Sequence, residues 1–136
     1  MKSVRVYLAA KFDRRDEMRA VADTLHTCGH DVVSRWLNAE KDDSESDDAA
    51  QTLWAIVNIA DVLRCDVLVF FSERAGSPGA ARGGRQVDLG AALAAGKKVI
   101  VVGPVEHVYH RHPRVTVVRN LTELVVALRV YAEAAA

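Results

Sequence analysis

Residues 83–103 read GGRQVDLGAALAAGKKVIVVG, and this stretch decides the fold. The alanine-rich sequence of residues 85–95 predicts a helix, and Gly96 stands where a helix-ending glycine belongs. The continuous apolar run of residues 98–102 predicts a strand covered on both faces, because a half-buried strand would alternate polar and apolar residues. A helix followed closely by a buried strand is the repeating unit of a parallel α/β sheet.

The same pattern recurs on both sides of this stretch. Four more buried strands are predicted at residues 4–9, 31–34, 66–71 and 115–118. Further helices are predicted at residues 14–28, 49–64 and 121–132, the first capped by Asp13 and the last by Asn120 or Thr122. The alternation predicts an α/β fold with a single doubly wound, mainly parallel sheet of about five strands flanked by helices, Rossmann-like or flavodoxin-like.

Length and composition favour one globular domain spanning residues 1–136. Half of the residues are apolar, and 18 basic residues balance 18 acidic ones, so no nucleic-acid-binding or membrane-attracted surface is expected. The apolar run near the N-terminus is too short for a signal peptide, and no run approaches the ~20 residues that span a bilayer. We therefore expect a cytoplasmic protein. Cys28 and Cys65 stand far apart and are expected to be buried thiols.

Ligands of doubly wound sheets bind beyond the carboxyl ends of the strands. The predicted topology delivers to that edge Ala9, Ala10, Lys11, Phe12, Arg35, Trp36, Ser72, Glu73, Gly103, Pro104 and Glu106. We expect the substrate-binding residues to be among them.

The loop of residues 72–84 is rich in Gly, Ser and Arg, so its backbone N–H groups can approach an anion closely. The predicted helix behind it points its N-terminus at the same place. That helix end, with Arg82 and Arg85, would favour phosphate and would hold Asp88 ionised in the first helical turn. Alternatively, Asp88 only complements the helix dipole, an effect worth ~0.3–1 kcal/mol.

Two groups of residues suggest metal binding but lack the required pattern. The acidic run of residues 40–48 has neither the spacing nor the glycine of a calcium loop, so a solvated loop is favoured. His107, His110 and His112 have no thiolate or fixed carboxylate beside them, which favours a role for His107 at the rim of a pocket. We expect neither a metal nor a cofactor.

Several motifs occur in a fixed order along most of the chain: VYLAAKF, SRWL, ADVLRCDVLVFF, GGRQVDLGAALAAGKKVIVVG and VEHVYHRHP. In this order they resemble the nucleoside 2-deoxyribosyltransferase superfamily, which includes nucleotide N-hydrolases and short phage and bacterial members. The resemblance implies that Tyr7 and Phe12 lie under the sugar and base, and that Asp88 occupies the place of the family's nucleophilic Glu. Asn58 stands where family members usually carry a catalytic Asp, and Asp61, one turn away, either compensates or serves as a cap or salt-bridge partner.

Cleavage of an N-glycosidic bond passes through an oxocarbenium-like sugar, which a nearby carboxylate can stabilise or trap. The resemblance thus implies Asp88 as the nucleophile, with Tyr7 and Asn58 positioning the sugar and the carboxylate. Ser72, Gly83, Gly84 and Arg85 would hold a phosphate, and Glu73 is a candidate proton donor to the base.

Three functions are compatible with these residues. The first is hydrolysis of a nucleoside 5'-monophosphate or nucleoside, and the second is deoxyribosyl transfer between bases. The third is a catalytically weak or inactive nucleotide-binding sensor, which Asn58 and Asp88 would support. A phosphoribohydrolase of the lysine-decarboxylase-like group fits less well, because its PGGxGTxxE loop is missing.

The sequence LWAIVNIADVL, residues 53–63, is apolar around much of a helix. We expect Leu53, Ile56, Val57 and Ala60 to face the sheet and Trp54, Val62 and Leu63 to be poorly covered. Either the acidic loop covers these side chains or they form an interface. Because the resembled family forms homodimers and larger assemblies, we expect a homodimer or higher homo-oligomer packed through this helix.

Overall fold

The structure is a computed structural model that describes residues 3–42, 46–74, 76–77 and 83–135. Within them, one parallel sheet contains Arg5–Ala9 (β1), Asp31–Val32 (β2), Val67–Phe71 (β3), Lys98–Val102 (β4) and Val115–Val118 (β5). The order of the strands across the sheet is β2-β1-β3-β4-β5. The predicted doubly wound α/β fold is therefore confirmed.

Four helices flank the sheet: Arg15–Thr27 (α1), Asp48–Arg64 (α2), Gly84–Ala94 (α3) and Leu121–Ala135 (α4). The chain moves one way across the sheet from β1 through α1 to β2, and the other way from β2 through α2 to β3. Right-handed crossovers consequently place α1 and α2 on opposite faces. A crevice opens where the strand order reverses, between the carboxyl ends of β1 and β3.

The core is built around β3, whose five residues are all buried. Its neighbours β1 and β4 pair with it along most of their length, for example Tyr7 with Leu68 and Phe70 with Val101. Strands enclosed in this way need apolar side chains on both faces, which is why their sequences are continuous apolar runs.

Several predicted boundaries differ from the structure, most of them by one residue. The second strand ends at Val32 because the Ser34 hydroxyl accepts a hydrogen bond from the Leu8 N–H at 3.1 Å, and Arg35–Asn38 then form a short 3-10 helix. Asp13 does not cap α1; it lies in a 3-10 turn, and α1 begins at Arg15 without a side-chain cap. The last helix is capped by Asn120, whose side chain accepts the Glu123 N–H at 2.9 Å.

The predicted orientation of α2 is wrong. Leu53 and Ile56 are 57% and 63% exposed, whereas Val62 is fully buried and Trp54 is partly buried against the core. The rotation of the helix is fixed by Val62 and by its neighbour Asp61, whose buried carboxylate binds Arg35. An unpaired buried carboxylate would be costly, so this ion pair determines which side of α2 faces inward.

The described residues also include both cysteines and four helices that can be compared with the length of a membrane span. Cys65 is buried as expected, while Cys28 is partly exposed, and both are free. None of the described helices has the length and apolar character needed to cross a bilayer.

We predict that Gly103→Ala destabilises the fold by about 1–3 kcal/mol. Gly103 has φ of +111°, and a Cβ there would lie 2.6 Å from the Ser72 Oγ. The control is Gly90→Ala, because the residue is inside α3 and no described atom beyond the helix's own backbone lies within 4 Å of its Cβ position. This control should gain about 0.5–1 kcal/mol. Urea denaturation measures both, and equal midpoints for the two variants would contradict the prediction.

Two histidines are buried in this fold, His30 at 3% and His110 at 1% exposure. The Nδ1 atom of His30 accepts the Val4 N–H at 3.3 Å, and that of His110 accepts the Glu106 N–H at 3.3 Å. Burial lowers the pKa of both imidazoles because it disfavours the charged form. Both side chains are therefore neutral hydrogen-bond acceptors at neutral pH.

We predict that the free energy of unfolding decreases as the pH falls below about 6.5. The unfolded chain binds a proton on each histidine near that pH, whereas the folded chain binds these protons only at lower pH. Acid therefore favours the unfolded state. The slope is at most about 1.4 kcal/mol per pH unit for each histidine. Chemical denaturation at about pH 7.5 and pH 5.5 measures it. His110→Gln should lose part of the difference between the two pH values, and an unchanged difference would exclude His110 as a source.

Candidate active site

A cavity of about 490 Å³ opens at the crevice beyond β1 and β3, between α2 and α3. It brings together nine of the predicted site residues: Tyr7, Ala10, Phe12, Trp36, Asn58, Gly83, Gly84, Arg85 and Asp88. These residues come from four separate segments of the chain. The carboxyl edge of the sheet therefore assembles a concave site, as the fold predicts.

Tyr7 and Asp88 meet at this cavity. Tyr7 is fully buried on β1, and its hydroxyl donates a hydrogen bond to the Asp88 carboxylate at 3.1 Å. Burial, followed by the charge of Asp88, raises the pKa of Tyr7 far above its ordinary value. The phenol thus stays protonated and holds one oxygen of the Asp88 carboxylate.

The helix that carries Asp88 begins one residue earlier than predicted, at Gly84. Asp88 therefore lies in the second turn of α3 and not in the first. The effect of a helix dipole on a side chain falls off within the first turn, so complementing the dipole is a weaker explanation for Asp88. The contact with Tyr7 accounts for its position instead.

Aromatic rings form one wall of the cavity. Phe12 and Trp36 stand with their ring centroids 6.4 Å apart at 45°, and Trp54 contributes a third ring from α2. The Trp36 indole N–H donates to the carbonyl oxygen of Leu8 at 2.7 Å, which fixes the ring against β1. Flat apolar walls of this kind suit a planar heteroaromatic group.

Asn58 extends from α2 into the wall of the cavity. Its Oδ1 atom is buried and accepts no hydrogen bond within the part of the chain that the structure describes. A buried acceptor without a donor costs about 1–3 kcal/mol. A ligand that brings an O–H or N–H group to this atom would remove that cost.

The N-terminus of α3 forms another side of the cavity. Gly83 and Gly84 are exposed, and a Cβ on either one would meet no described atom within 4 Å. The first N–H groups of a helix have no acceptor within the helix, so they can bind an anion. Arg82, which was expected to assist, lies outside the described residues.

The guanidinium of Arg85 is directed to a carboxylate of the protein, although it was expected to bind a phosphate. It forms an ion pair with Glu106 at 2.5 Å, and the two side chains are 5% and 4% exposed. Glu106, an expected substrate-binding residue, does not line the cavity. Its carboxylate also accepts the Glu73 N–H at 3.0 Å.

The remaining predicted residues lie outside the cavity lining. Ala9 is buried in β1, and Arg35 pairs with Asp61 at 2.9 Å. The Ser72 hydroxyl donates to the Val102 carbonyl, and the ring of His107 stacks on Tyr109 at 5.2 Å.

Two acidic residues near the site also form ion pairs with basic side chains. Glu73, the candidate proton donor, forms ion pairs with Arg14 at 2.8 Å and Lys11 at 3.4 Å. Asp61 is fully buried and is held by Arg35 and Arg64, so it is a salt-bridge partner, as the structural alternative predicted.

The cavity is also lined by Lys11, which was expected at this edge of the sheet, and by residues that sequence reasoning did not select: Ala39, Lys41, Asp42, Trp54, Ala55, Ile59 and Val87. Trp54 and Ala55 could have been found, since they lie four and three residues before Asn58 on one helical face, and Ile59 lies four residues after Ala55. Lys41 and Asp42 belong to the run that was interpreted as a solvated loop. Their charge alone did not indicate that Lys41 and Asp42 line a cavity while other residues of the run do not.

Within the described residues, no group of three or more His, Cys, Asp or Glu side chains is arranged to hold a metal ion. His110 is buried and hydrogen-bonded, and His112 is exposed.

No protein-family model and no curated protein matches the sequence. Solved structures do match. A 2-deoxyribosyltransferase from the psychrotolerant bacterium Bacillus psychrosaccharolyticus is 16% identical, with a TM-score of 0.67 over 88% of this chain and 89% of that one. The CMP N-glycosidase of Clostridium botulinum is 20% identical, with a TM-score of 0.57 over 93% and 98% of the two chains.

A conserved protein from Enterococcus faecalis V583 is 14% identical, with a TM-score of 0.65 over 95% of this chain and 99% of that one. Each likeness spans nearly the whole of both chains at low sequence identity, so it concerns the fold. The chain thus shares its fold with a 2-deoxyribosyltransferase and a CMP N-glycosidase, as the resemblance of its motifs implied.

Proposed function

We propose that the protein hydrolyses the N-glycosidic bond of a nucleoside 5'-monophosphate or nucleoside, with Asp88 as the nucleophile. The observation that carries this proposal is the hydrogen bond from the buried Tyr7 hydroxyl to the Asp88 carboxylate at the cavity. A fixed carboxylate beside a concave pocket is what glycosidic cleavage through a covalent intermediate requires.

The reaction has two steps. One Asp88 oxygen forms a bond to the anomeric carbon while the bond from that carbon to the base nitrogen breaks, and the base leaves with the electron pair and takes a proton from solvent. Water then attacks the anomeric carbon, releases the free sugar with a hydroxyl group and restores the carboxylate. The Tyr7 hydroxyl holds the other Asp88 oxygen throughout, so the attacking oxygen keeps its direction.

The cavity offers a distinct place for each part of such a substrate. The rings of Phe12, Trp36 and Trp54 provide a wall for the base, and the buried Asn58 Oδ1 provides an acceptor for a hydroxyl or amino group. The N-terminus of α3 at Gly83 and Gly84 provides N–H groups for a phosphate. Because Arg85 is paired with Glu106, phosphate binding in this proposal rests on the backbone and not on that guanidinium.

Two structural neighbours support a reaction at a glycosidic bond, since one is a 2-deoxyribosyltransferase and the other a CMP N-glycosidase. Because these identities are low, experiments must identify the base, the sugar and whether water or a second base accepts the sugar. Incubation with a panel of ribo- and deoxyribonucleosides and their monophosphates, followed by chromatography for free base, tests hydrolysis. Adding a second free base to the same reactions reveals transfer as a new nucleoside.

We predict that Asp88→Asn abolishes base release, because an amide oxygen is a poor nucleophile. The melting temperature should stay within a few degrees, since the asparagine oxygen can still accept the Tyr7 hydroxyl. Asp48→Asn is the matched control, because Asp48 is an exposed acid at the start of another helix, α2. The control should release base at the wild-type rate.

Undiminished turnover in Asp88→Asn would exclude Asp88 as the nucleophile. Substrate binding by the wild-type protein without release of any base, measured by calorimetry, would replace hydrolysis by the role of a nucleotide sensor.

We further propose that two copies of the chain associate through α2. Leu53, Ile56, Ile59 and Leu63 form an exposed apolar stripe along this helix, and Val87 of α3 adds to it. Ile59 and Val87 also line the cavity, so the apolar surface continues into its mouth. A second copy on this surface would cover the stripe and close the open side of the cavity.

We predict that light scattering at micromolar protein gives twice the chain mass of 14.8 kDa. Ile56→Glu should give the single-chain mass, because a carboxylate would be buried at the interface. Val130→Glu is the control, since Val130 is 58% exposed on a different helix, α4. A wild-type protein of single-chain mass that releases base would overturn the proposed association.

A further inference from the structure

Two pairs of side chains join the start of α3 to the segment that follows β4. In the first, Arg85 Nη1 lies 2.5 Å and Nη2 lies 3.4 Å from the two carboxylate oxygens of Glu106. The Arg85 guanidinium also lies over the ring of Phe70, 5.0 Å from its centroid. This side chain is therefore held on two sides, by a bidentate carboxylate and by an aromatic face.

The second pair consists of His110 and Gln86. Because the His110 Nδ1 atom accepts the Glu106 N–H at 3.3 Å, the proton of the neutral ring resides on Nε2. That Nε2–H faces the Gln86 Oε1 atom at 3.1 Å and donates to it. The His110 ring packs edge-on against Phe70 at 4.6 Å. The two pairs are thus connected through the backbone of Glu106 and through the ring of Phe70.

Among the described residues, no side chain caps the beginning of α3. Gly83 makes no side-chain capping hydrogen bond, and no described atom lies within 4 Å of a Cβ position at Gly83 or Gly84. The next two residues, Arg85 and Gln86, are the ones that the two pairs hold. Asp88 follows on the same helix, and its carboxylate must meet the Tyr7 hydroxyl on β1.

We propose that Glu106 and His110 are positioning residues that hold Arg85 and Gln86, and thereby place the Asp88 carboxylate against Tyr7. The inference rests on the proposed role of Asp88. A buried ion pair adds little net stability compared with apolar side chains of similar volume, so a positioning role explains the pair better than stability does. Displacement of a reacting group by about 1 Å can lower a rate about 100-fold.

The test replaces the first pair by apolar side chains in the double variant Arg85→Met, Glu106→Leu. We expect the variant to fold with a melting temperature close to that of the wild type, because no buried charge is left unpaired. We expect kcat for base release to fall about 100-fold with little change in KM, since the aromatic wall and Asn58 are untouched. The matched control is Arg5→Met, which removes the 3.0 Å ion pair with Asp66 at the opposite edge of the sheet and should leave kcat unchanged.

A second measurement does not depend on turnover. The Tyr7 hydroxyl proton, bonded to Asp88 and buried, should give an exchange-protected NMR signal that is identified by its loss in Tyr7→Phe. In the double variant this signal should shift or disappear, whereas in Arg5→Met it should stay in place. If the wild-type protein releases no base, the proposed function fails, while the NMR signal still decides whether the pair positions Asp88.

An unchanged signal in the double variant, or unchanged kcat, would overturn the proposal. If the double variant does not fold, Gln86→Ala decides in its place, because it removes only the partner of His110 at a partly exposed position. The same shift of the Tyr7 signal is expected in Gln86→Ala, and its absence would overturn the proposal equally.

Discussion

The burial of β3 on both faces is the constraint on which the rest of the structure depends. All five of its residues are buried, and β1 and β4 occupy its two edges. Helices must therefore cover both sides of the sheet. To place them there, the chain adds β2 on one side of β1 and then β3 on the other side, so the strand order reverses. The crevice that holds Tyr7, Asn58 and Asp88 follows from this reversal.

The charges around this crevice largely neutralise one another. Arg85 pairs with Glu106, Arg35 pairs with Asp61, and Glu73 lies between Arg14 and Lys11. These pairs connect different segments of the chain, including helices α2 and α3, so they shape the walls of the site. In the proposed function, phosphate recognition then depends on the backbone N–H groups at the start of α3, which need no side-chain cation.

The neutral amide of Asn58 has a physical consequence for the proposed chemistry. A second carboxylate in the same cavity would repel the charge of Asp88, and an amide avoids this repulsion. An amide cannot transfer a proton, however, so in the proposed reaction the leaving base takes its proton from solvent. Its buried Oδ1 atom makes Asn58 a hydrogen-bonding group for the substrate.

The sequence by itself determined the strands, the helices and their alternation, because continuous apolar runs and helix-ending glycines are local signals. Gly29 and Gly96 have φ of +90° and +77°, as their positions after the helices predicted. The edge of the sheet that carries the site was also predictable, since parallel strands bring their carboxyl ends together. Tyr7, Phe12, Trp36, Asn58 and Asp88 were all selected on this basis and on the resemblance, and all five line the cavity.

Only the tertiary structure decided which charged side chains face the cavity and which face each other. Arg85 and Glu106 are 21 residues apart in sequence, and nothing local indicates that they form a buried pair. The rotation of α2 was likewise decided by the ion pair of Asp61 with Arg35 across 26 residues. Side-chain pairing depends on where distant segments meet, whereas backbone hydrogen bonding and apolar periodicity are set by near neighbours, and this difference separates what could be predicted from what could not.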